Sequence, residues 1–303
     1  MAFTKEEITK MKKAGEIHKK VMDFVREIVK PGERLLKIAE KIDAKVLELD
    51  GKLAFPVNLS INEVAAHSTP AWNDETLAKG LLKVDVGVHV DGFVADGAFS
   101  VDLEGNDENK RLIEAAQEGL KAALSMVKEG AVLREVGSAV DKAIRQFEGF
   151  VPIHNLSGHQ IRQYDLHAGL NIPNYDNGSE IEIGEGQYAI EPFATNGHGR
   201  VKDGKPSGIY KVEQITQPRD NFAREVLGFI VDEYQTLPFC ARAIHKKFGV
   251  RGLLALKQME NAGILHQYNQ LVETAKGKVA QAECTVVLNK GEVHVLNPII
   301  NTK

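Results

Sequence analysis

Apolar residues recur at helical spacing near the start of the chain, where Ile8, Met11, Ala14, Ile17, Val21, Phe24, Val25 and Ile28 form one stripe over residues 4–30. Thr4 followed by Glu7 reads as a capping-box start, and Lys30-Pro31-Gly32 as a stop. A second helix is expected from Glu33 to Leu49, ending at Asp50-Gly51. The period then changes. In Leu81–Ser100 the valines Val84, Val86, Val88 and Val90 alternate with Asp85, Gly87, His89 and Asp91, and Asp91-Gly92 is a strong hairpin turn signal. If those two residues form the turn, Gly87 faces Asp96 and Asp85 faces Ala98. Asp85 and Asp96 are then diagonal neighbours on one face, roughly 7–8 Å apart. Helices are expected at Asn106–Glu129 and at about Leu133–Phe147, followed by a poorly periodic stretch over residues 151–174. A strand is expected at QYAIEPF, with Glu191 at its end before Pro192.

Residues 207–271 change character. Phe222–Tyr234, Phe239–Phe248 and Gly252–Ala262 read as three short helices, so a helical subdomain inserted in a body formed by residues 1–206 and 272–303 is expected. The basic cluster Arg242, His245, Lys246, Lys247 and Arg251 reads as a solvated helix face, and His18, His245 and His266 read as surface residues. The chain returns to strand at KVAQAECTVVLNKGEVHVLNP, a hairpin around Asn289-Lys290-Gly291 with Glu283 in its first strand, and a final strand runs to the C-terminus.

Composition narrows the function classes without choosing one. The 303 residues are 43% hydrophobic and 26% charged, ordinary for a soluble globular protein. A net charge of −4 gives no global case for nucleic acid or an anionic membrane. The opening residues are too charged for a signal peptide, and no apolar run is long enough to span a bilayer. The two cysteines, Cys240 and Cys284, lack metal-type spacing and suggest no disulfide framework. A cytoplasmic protein is expected.

The candidate chemistry starts from the hairpin. Aspartate is depleted in strand interiors, so two of them opposite the valine face need a reason, and a divalent metal supplies one. His159 and His167 lie in the irregular stretch, where a core hydrogen-bonding role competes with a functional one. Glu191 is either a solvated edge residue or a ligand, and His67 alone is ambiguous. Taken together, four carboxylates and one imidazole form a hard, oxygen-rich set suited to two first-row divalent ions rather than to a structural zinc. No Gly-x-Ser-x-Gly, Walker or dinucleotide motif is present.

In this order the motifs AFP…NEVAAHSTP (54–70), VDVGVHVDGFVAD (84–96), NLSGHQI…YDLHAG (155–169), YAIEPFAT (188–195) and AQAECTVVL (280–288) resemble the type II methionine aminopeptidases, in the short form without an N-terminal extension. The resemblance spans essentially the whole chain. It implies an α+β pita-bread fold: two pseudo-symmetric halves, a curved antiparallel sheet covered by helices, and the helical subdomain that separates type II from type I. It implies that Asp85, Asp96, His159, Glu191 and Glu283 hold two divalent ions (Co, Mn, Fe, Ni or Zn), with Asp96 and Glu283 bridging, Asp85 on one ion, and His159 and Glu191 on the other. Glu191 would also shuttle the proton that the metal-bound water loses on becoming the attacking hydroxide. His67 and His167 would bind the scissile region, and Phe55, Leu166 and Tyr268 would wall the methionine pocket.

The implied activity is removal of the initiator methionine from nascent chains with a small second residue, by a monomer that works on emerging N-termini, with docking on the ribosome an open point. Competing readings are an Xaa-Pro aminopeptidase or prolidase, and a non-catalytic binding protein on the same fold. Two departures stand out. Cys284 takes the place of the usual histidine after the last glutamate, and Gly97 follows Asp96 where a larger residue is common.

Overall fold

The computed structural model describes residues 2–298. Helices α1 (Lys5–Ile28) and α2 (Leu35–Glu48) open the chain. The capping box forms as read: the Glu7 N–H donates to Thr4 Oγ1 at 3.2 Å and the Thr4 N–H to Glu7 Oε2 at 2.8 Å. One expectation fails on α1. His18 is buried, because the stripe Met11, Ala14, Gly15, Ile17, His18, Val21, Met22 and Val25 faces inward and carries it there. Burial pushes its pKa down to about 4, so it is neutral.

Strands β1 (Lys52–Leu53), β2 (Asn58–Ile61), β3 (Val64–Ala66), β4 (Leu81–Val90) and β5 (Phe93–Asp102) follow. Strands β4 and β5 pair antiparallel with Gly87 opposite Asp96 and Asp85 opposite Ala98. Asp91 (φ 49°) and Gly92 (φ 81°) both turn left-handed, the geometry of a two-residue hairpin turn that matches strand twist. Val84, Val86 and Val88 are fully buried against the inner faces of α1 and α2. The opposite face of the hairpin is closed over as well, by the second half of the molecule.

That half repeats the plan. Helices α3 (Asp107–Met126) and α4 (Leu133–Arg145) precede β6 (Val151–Pro152), β7 (Ser157–Ile161), β8 (Asn171–Pro173), β9 (Gly186–Ile190) and β10 (Phe193–Thr195). The helices bury Leu112, Leu120, Val136 and Val140 against Tyr188, Ile190, Val286 and Leu288, a core separate from the one under α1 and α2.

The stretch after β10 departs from an all-helical insertion. Strand β11 (Val201–Val212) runs unbroken across the expected 206/207 boundary. It is followed by α5 (Asn221–Tyr234), β12 (Phe239–Cys240), α6 (Ala241–Asn261) and β13 (Leu265–Glu273), which crosses the 271/272 boundary. These strands form the sheet β12-β11-β13-β3, which fastens the unit to the body. Register shifts around Pro206 break any apolar alternation, which hides β11 from pattern reading. Residues Phe239-Cys240 are strand rather than helix start, and the last two expected helices are one element broken at Gly249 (φ 63°, ψ −156°). Arg242 is buried rather than part of a solvated face, whereas His266 is exposed and His245 half-buried in a stack on Trp72.

The chain closes with β14 (Val279–Gln281), β15 (Cys284–Asn289) and β16 (Glu292–Val295). The final strand expected to reach the C-terminus extends into residues 299–303, outside the described range. Cys240 and Cys284 are both buried and free.

Candidate metal centre

The acidic residues arrive from four places. Asp85 and Asp96 project from the non-valine face of the β4–β5 hairpin. Glu191 follows β9 and Glu283 precedes β15, and these two positions are related. Cys284 pairs with Ile190 on one side and Gln281 with Phe193 on the other, so Glu191-Pro192 and Ala282-Glu283 are facing breaks where the ladder passes from one sheet to the next. Pro192 has no N–H to offer a ladder, which is why the strand breaks after Glu191. Glu283 is therefore between two strands rather than inside one. Its N–H donates to the carbonyl of Ala98 at 3.0 Å and ties it to the hairpin.

His159 comes from β7, where it faces Ala189 of β9. Its Nε2 lies 3.7 Å from Asp96 Oδ2 and 3.6 Å from Glu191 Oε1. Ligand-type atoms of Asp96, His159 and Glu283 all fall within 4.8 Å of one another. Asp85 lines the same cavity outside this tightest group. His159 stacks at 4.4 Å, tilted, on the ring of His167. His67 sits just past β3 with φ 56°, a left-handed conformation uncommon for a side-chain-bearing residue, and its Nδ1–H donates to the Asn269 carbonyl at 3.3 Å. That leaves Nε2 as the free nitrogen of its ring. Arg242 braces the segment beyond His67, donating to Thr69 Oγ1 (3.1 Å), the Pro70 carbonyl (2.7 Å) and Asp43 (3.1 Å).

The four carboxylates, His67, His159 and His167, together with Phe55, Leu166 and Tyr268, line one cavity of about 230 Å³. The Tyr268 ring stands edge-on to His67 at 5.2 Å, and Phe55 and Leu166 are nearly fully buried in the apolar wall. The Phe55 ring occupies the space where a side chain on Gly87 would lie, so that glycine is required by packing. The cavity also takes in Asn58, Asn155 and Pro238, which sequence reading did not single out. Gln281 is a further addition, its Nε2 donating to Glu283 Oε2 at 3.1 Å. Its position two residues before Glu283 was the available signal.

Electrostatically the site is one-sided. Burial raises the pKa of Asp85 to about 7, and burial with the facing Asp85 charge holds Asp96 well above its ordinary range. Glu191 and Glu283 are raised well above theirs by burial and then by the neighbouring carboxylates. Burial, with the neighbouring histidines adding, brings His159 to about 3 and His167 to about 4, so both rings are neutral. His67 is lowered by burial too. Asp85 Oδ1, Asp96 Oδ1 and His159 Nδ1 are buried without a hydrogen-bond partner. Clustered carboxylates with Asp85 Oδ1 and Asp96 Oδ1 orphaned, and a neutral imidazole whose Nε2 faces them, are what a hard divalent cation satisfies, so the donor set fits such an ion.

The chain matches the model of metallopeptidase family M24 over residues 9–251. The methionine aminopeptidase of Pyrococcus abyssi (strain GE5 / Orsay) is 44% identical over 294 residues, covering 95% of this chain and 99% of that protein. Among solved structures, a thermophilic Arx1 superposes with a TM-score of 0.85 at 17% identity over 99% of this chain and 93% of that one. The methionine aminopeptidase of Thermotoga maritima superposes with a TM-score of 0.69 at 22% identity over 98% of both chains. These two likenesses show the fold, the pita-bread arrangement of two helix-covered halves around a curved antiparallel sheet.

Proposed function

This chain belongs to metallopeptidase family M24, and from that premise we propose that it is a methionine aminopeptidase that removes the initiator methionine from nascent chains whose second residue is small. Membership brings a divalent metal cofactor and a hydrolytic exopeptidase activity. Relatives named methionine aminopeptidase, at 44% identity over nearly their full length, support the substrate class. The observation that carries the reading is the convergence of Asp85, Asp96, His159, Glu191 and Glu283 with His67 and His167 on one part-apolar cavity.

On this reading Asp85, Asp96, His159, Glu191 and Glu283 would hold two divalent ions, with Asp96 and Glu283 the most enclosed of the carboxylates. The ions, when bound, supply Lewis acidity and a nucleophile at neutral pH. The rest falls to the chain. Glu191, the more open of the two glutamates, takes a proton on the way in and returns it to the leaving amine. His67 and His167 contact the scissile region, His67 accepting an N–H through its unprotonated Nε2 and His167 donating to the oxygen where negative charge develops. Phe55, Leu166 and Tyr268 enclose a flexible thioether, and the half-closed cavity excludes bulk water.

The unit over 207–271 is an inserted subdomain that walls one side of that cavity through Ile209, Pro238 and Tyr268. The protein works as a cytoplasmic monomer on emerging N-termini, at the ribosome where it docks there. No described helix is long and apolar enough to cross a membrane.

The deciding experiment is a peptide panel with metal-loaded protein. Methionine release from a Met-Ala-Ser peptide, with Xaa-Pro peptides left intact, is the expected result. Cleavage of Xaa-Pro peptides alone would transfer the chain to the prolidase-like readings. No release from any peptide, with no divalent binding by calorimetry, would make it a binding protein. The same assay over Co, Mn, Fe, Ni and Zn identifies the working ion.

A further inference from the structure

Behind the carboxylates, on the far side of β5 from the substrate cavity, a network joins α1 to the end of the chain. Strand β5 is paired by β4 along one edge only. On its other edge the backbone of Asp96 is met by side chains. The Asp96 N–H donates to Thr285 Oγ1 at 2.7 Å, and that hydroxyl donates back to the Asp96 carbonyl at 2.8 Å. The same carbonyl accepts a second bond, from Asn297 Nδ2 at 2.7 Å. Asn297 Nδ2 also lies 3.1 Å from His18 Nδ1, and Asn297 Oδ1 accepts the Thr285 N–H at 2.7 Å. His18 Nε2 faces the Gly97 carbonyl at 3.4 Å.

The polarity of this network has one solution. A carbonyl only accepts, so His18 carries its proton on Nε2 and offers Nδ1 as an acceptor. Both Asn297 amide hydrogens are then used, one on His18 and one on Asp96, and its oxygen is used by Thr285. The ring therefore fixes which way the amide points. His18, Asn297 and Asp96 are all buried, so water offers no substitute.

Gly97 makes the arrangement possible. A Cβ there would stand 2.5 Å from Asn297 Nδ2 and 2.7 Å from His18 Cε1. The small residue after Asp96 and the two polar groups behind it are thus one feature.

We propose that Asn297, aimed by His18, is a positioning residue for Asp96, and that the bare Cα of Gly97 is the space that admits them. Asp96 lies between carboxylates that repel it, and a backbone held at both its N–H and its carbonyl keeps its carboxylate aimed into the cluster. This proposal rests on the reading of Asp96 as a metal ligand.

The test is calorimetric titration of the metal-free full chain with Mn²⁺, with the thermal transition of the metal-free protein recorded alongside. Asp96→Asn should lose stoichiometric binding. Asn297→Ala should remain folded and bind Mn²⁺ more weakly by roughly tenfold, the lower end of what outer partners of ligands contribute. His18→Ala should show a smaller loss in the same direction. In the peptide assay at limiting Mn²⁺, kcat should fall while KM for the methionyl peptide stays unchanged, a split that general loosening of the fold would not give. Should Asn297→Ala fail to fold, Gly97→Ala carries the same expectation, because it keeps every partner and only displaces the amide. Loss of binding in Asp96→Asn with wild-type affinity in the Asn297 or Gly97 variant would overturn the positioning role alone. Wild-type binding by Asp96→Asn would overturn the ligand reading, and the proposal with it.

Discussion

Glu273 and Glu283 are glutamates of nearly equal burial, 0% and 3% exposed, and they do opposite things. Glu273, at the end of β13, accepts the backbone N–H of His198 at 2.7 Å, of Ala275 at 2.7 Å and of Gly277 at 2.9 Å. Gly197 leaves room for the carboxylate to approach so closely. Three donors replace the water it lost, and the residue knots the turn after β13 to the segment after β10. Glu283 has one side-chain donor, Gln281, and is otherwise surrounded by Asp96, Glu191 and Asp85, which push its carboxyl up. Burial alone therefore does not mark a functional carboxylate. The scarcity of partners does: a buried carboxylate with a single donor among other carboxylates is held by folding energy spent elsewhere and is suited to a cation.

Substituting each glutamate by glutamine is the sharpest way to break this contrast. Glu283→Gln should lower turnover of a methionyl peptide by more than about a hundredfold, since outer partners of ligands already contribute 10–100-fold. The same change removes one charge from a repelling cluster, so the metal-free protein should be no less stable, and by urea melts slightly more so. Glu273→Gln should do the reverse: near-normal turnover at saturating metal, but stability lower by about 2–3 kcal/mol as charge-assisted bonds are lost. If Glu273→Gln proves neutral, or Glu283→Gln destabilises the metal-free protein, the distinction between the two sites collapses.

Metal addition reads the same contrast from the ligand side. Mn²⁺ at about a hundred times its dissociation constant should stabilise the wild type by about 2.7 kcal/mol, a rise of several degrees in melting temperature. Glu273→Gln should keep that rise and Glu283→Gln should lose most of it. A rise of equal size in both variants would mean that the ion binds away from the carboxylates.

The hairpin was legible in the sequence because two local rules agreed there. Alternation fixed which residues share a face, and Asp91-Gly92 fixed the register, so the placement of Asp85 and Asp96 followed from counting. The separation of Glu191 and Glu283 from any single strand was not legible, since the facing breaks exist only once β9 and β15 are paired. Strands β11 and β13 were hidden for a similar reason: KDGKPSG and HQYNQ have no period, and pairing makes them strands. The burial of His18 could have been found. Its neighbours Lys19 and Lys20 suggested solvent, yet it follows Ala14 and precedes Val21 at helical spacing, on the buried stripe. Glu273 and Asn297 gave no signal at all, because what distinguishes them is which distant backbone groups they meet.

Histidines repeat the lesson of the glutamates at smaller size. His89, 5% exposed at the end of β4, accepts the Gly92 N–H on Nδ1 at 3.0 Å, whereas Nδ1 of His159 has no partner. Burial first, and then Lys52, push the pKa of His89 down to about 4 from an ordinary 6.5. The unfolded chain therefore takes up the proton before the folded one. The contribution of His89 is whole above pH 6.5 and is lost progressively as pH falls towards 4. At pH 5.5 the loss is about 1 kcal/mol relative to neutral pH. His89→Gln removes that titration, so urea melts should show stability falling less steeply from pH 7 to 5.5 than in the wild type. The other buried histidines titrate in both proteins, which isolates the share of His89. Added Mn²⁺ should leave this difference in slope unchanged, since His89 is outside the carboxylate cluster; a difference that vanished on metal addition would place His89 among the groups that the ion controls.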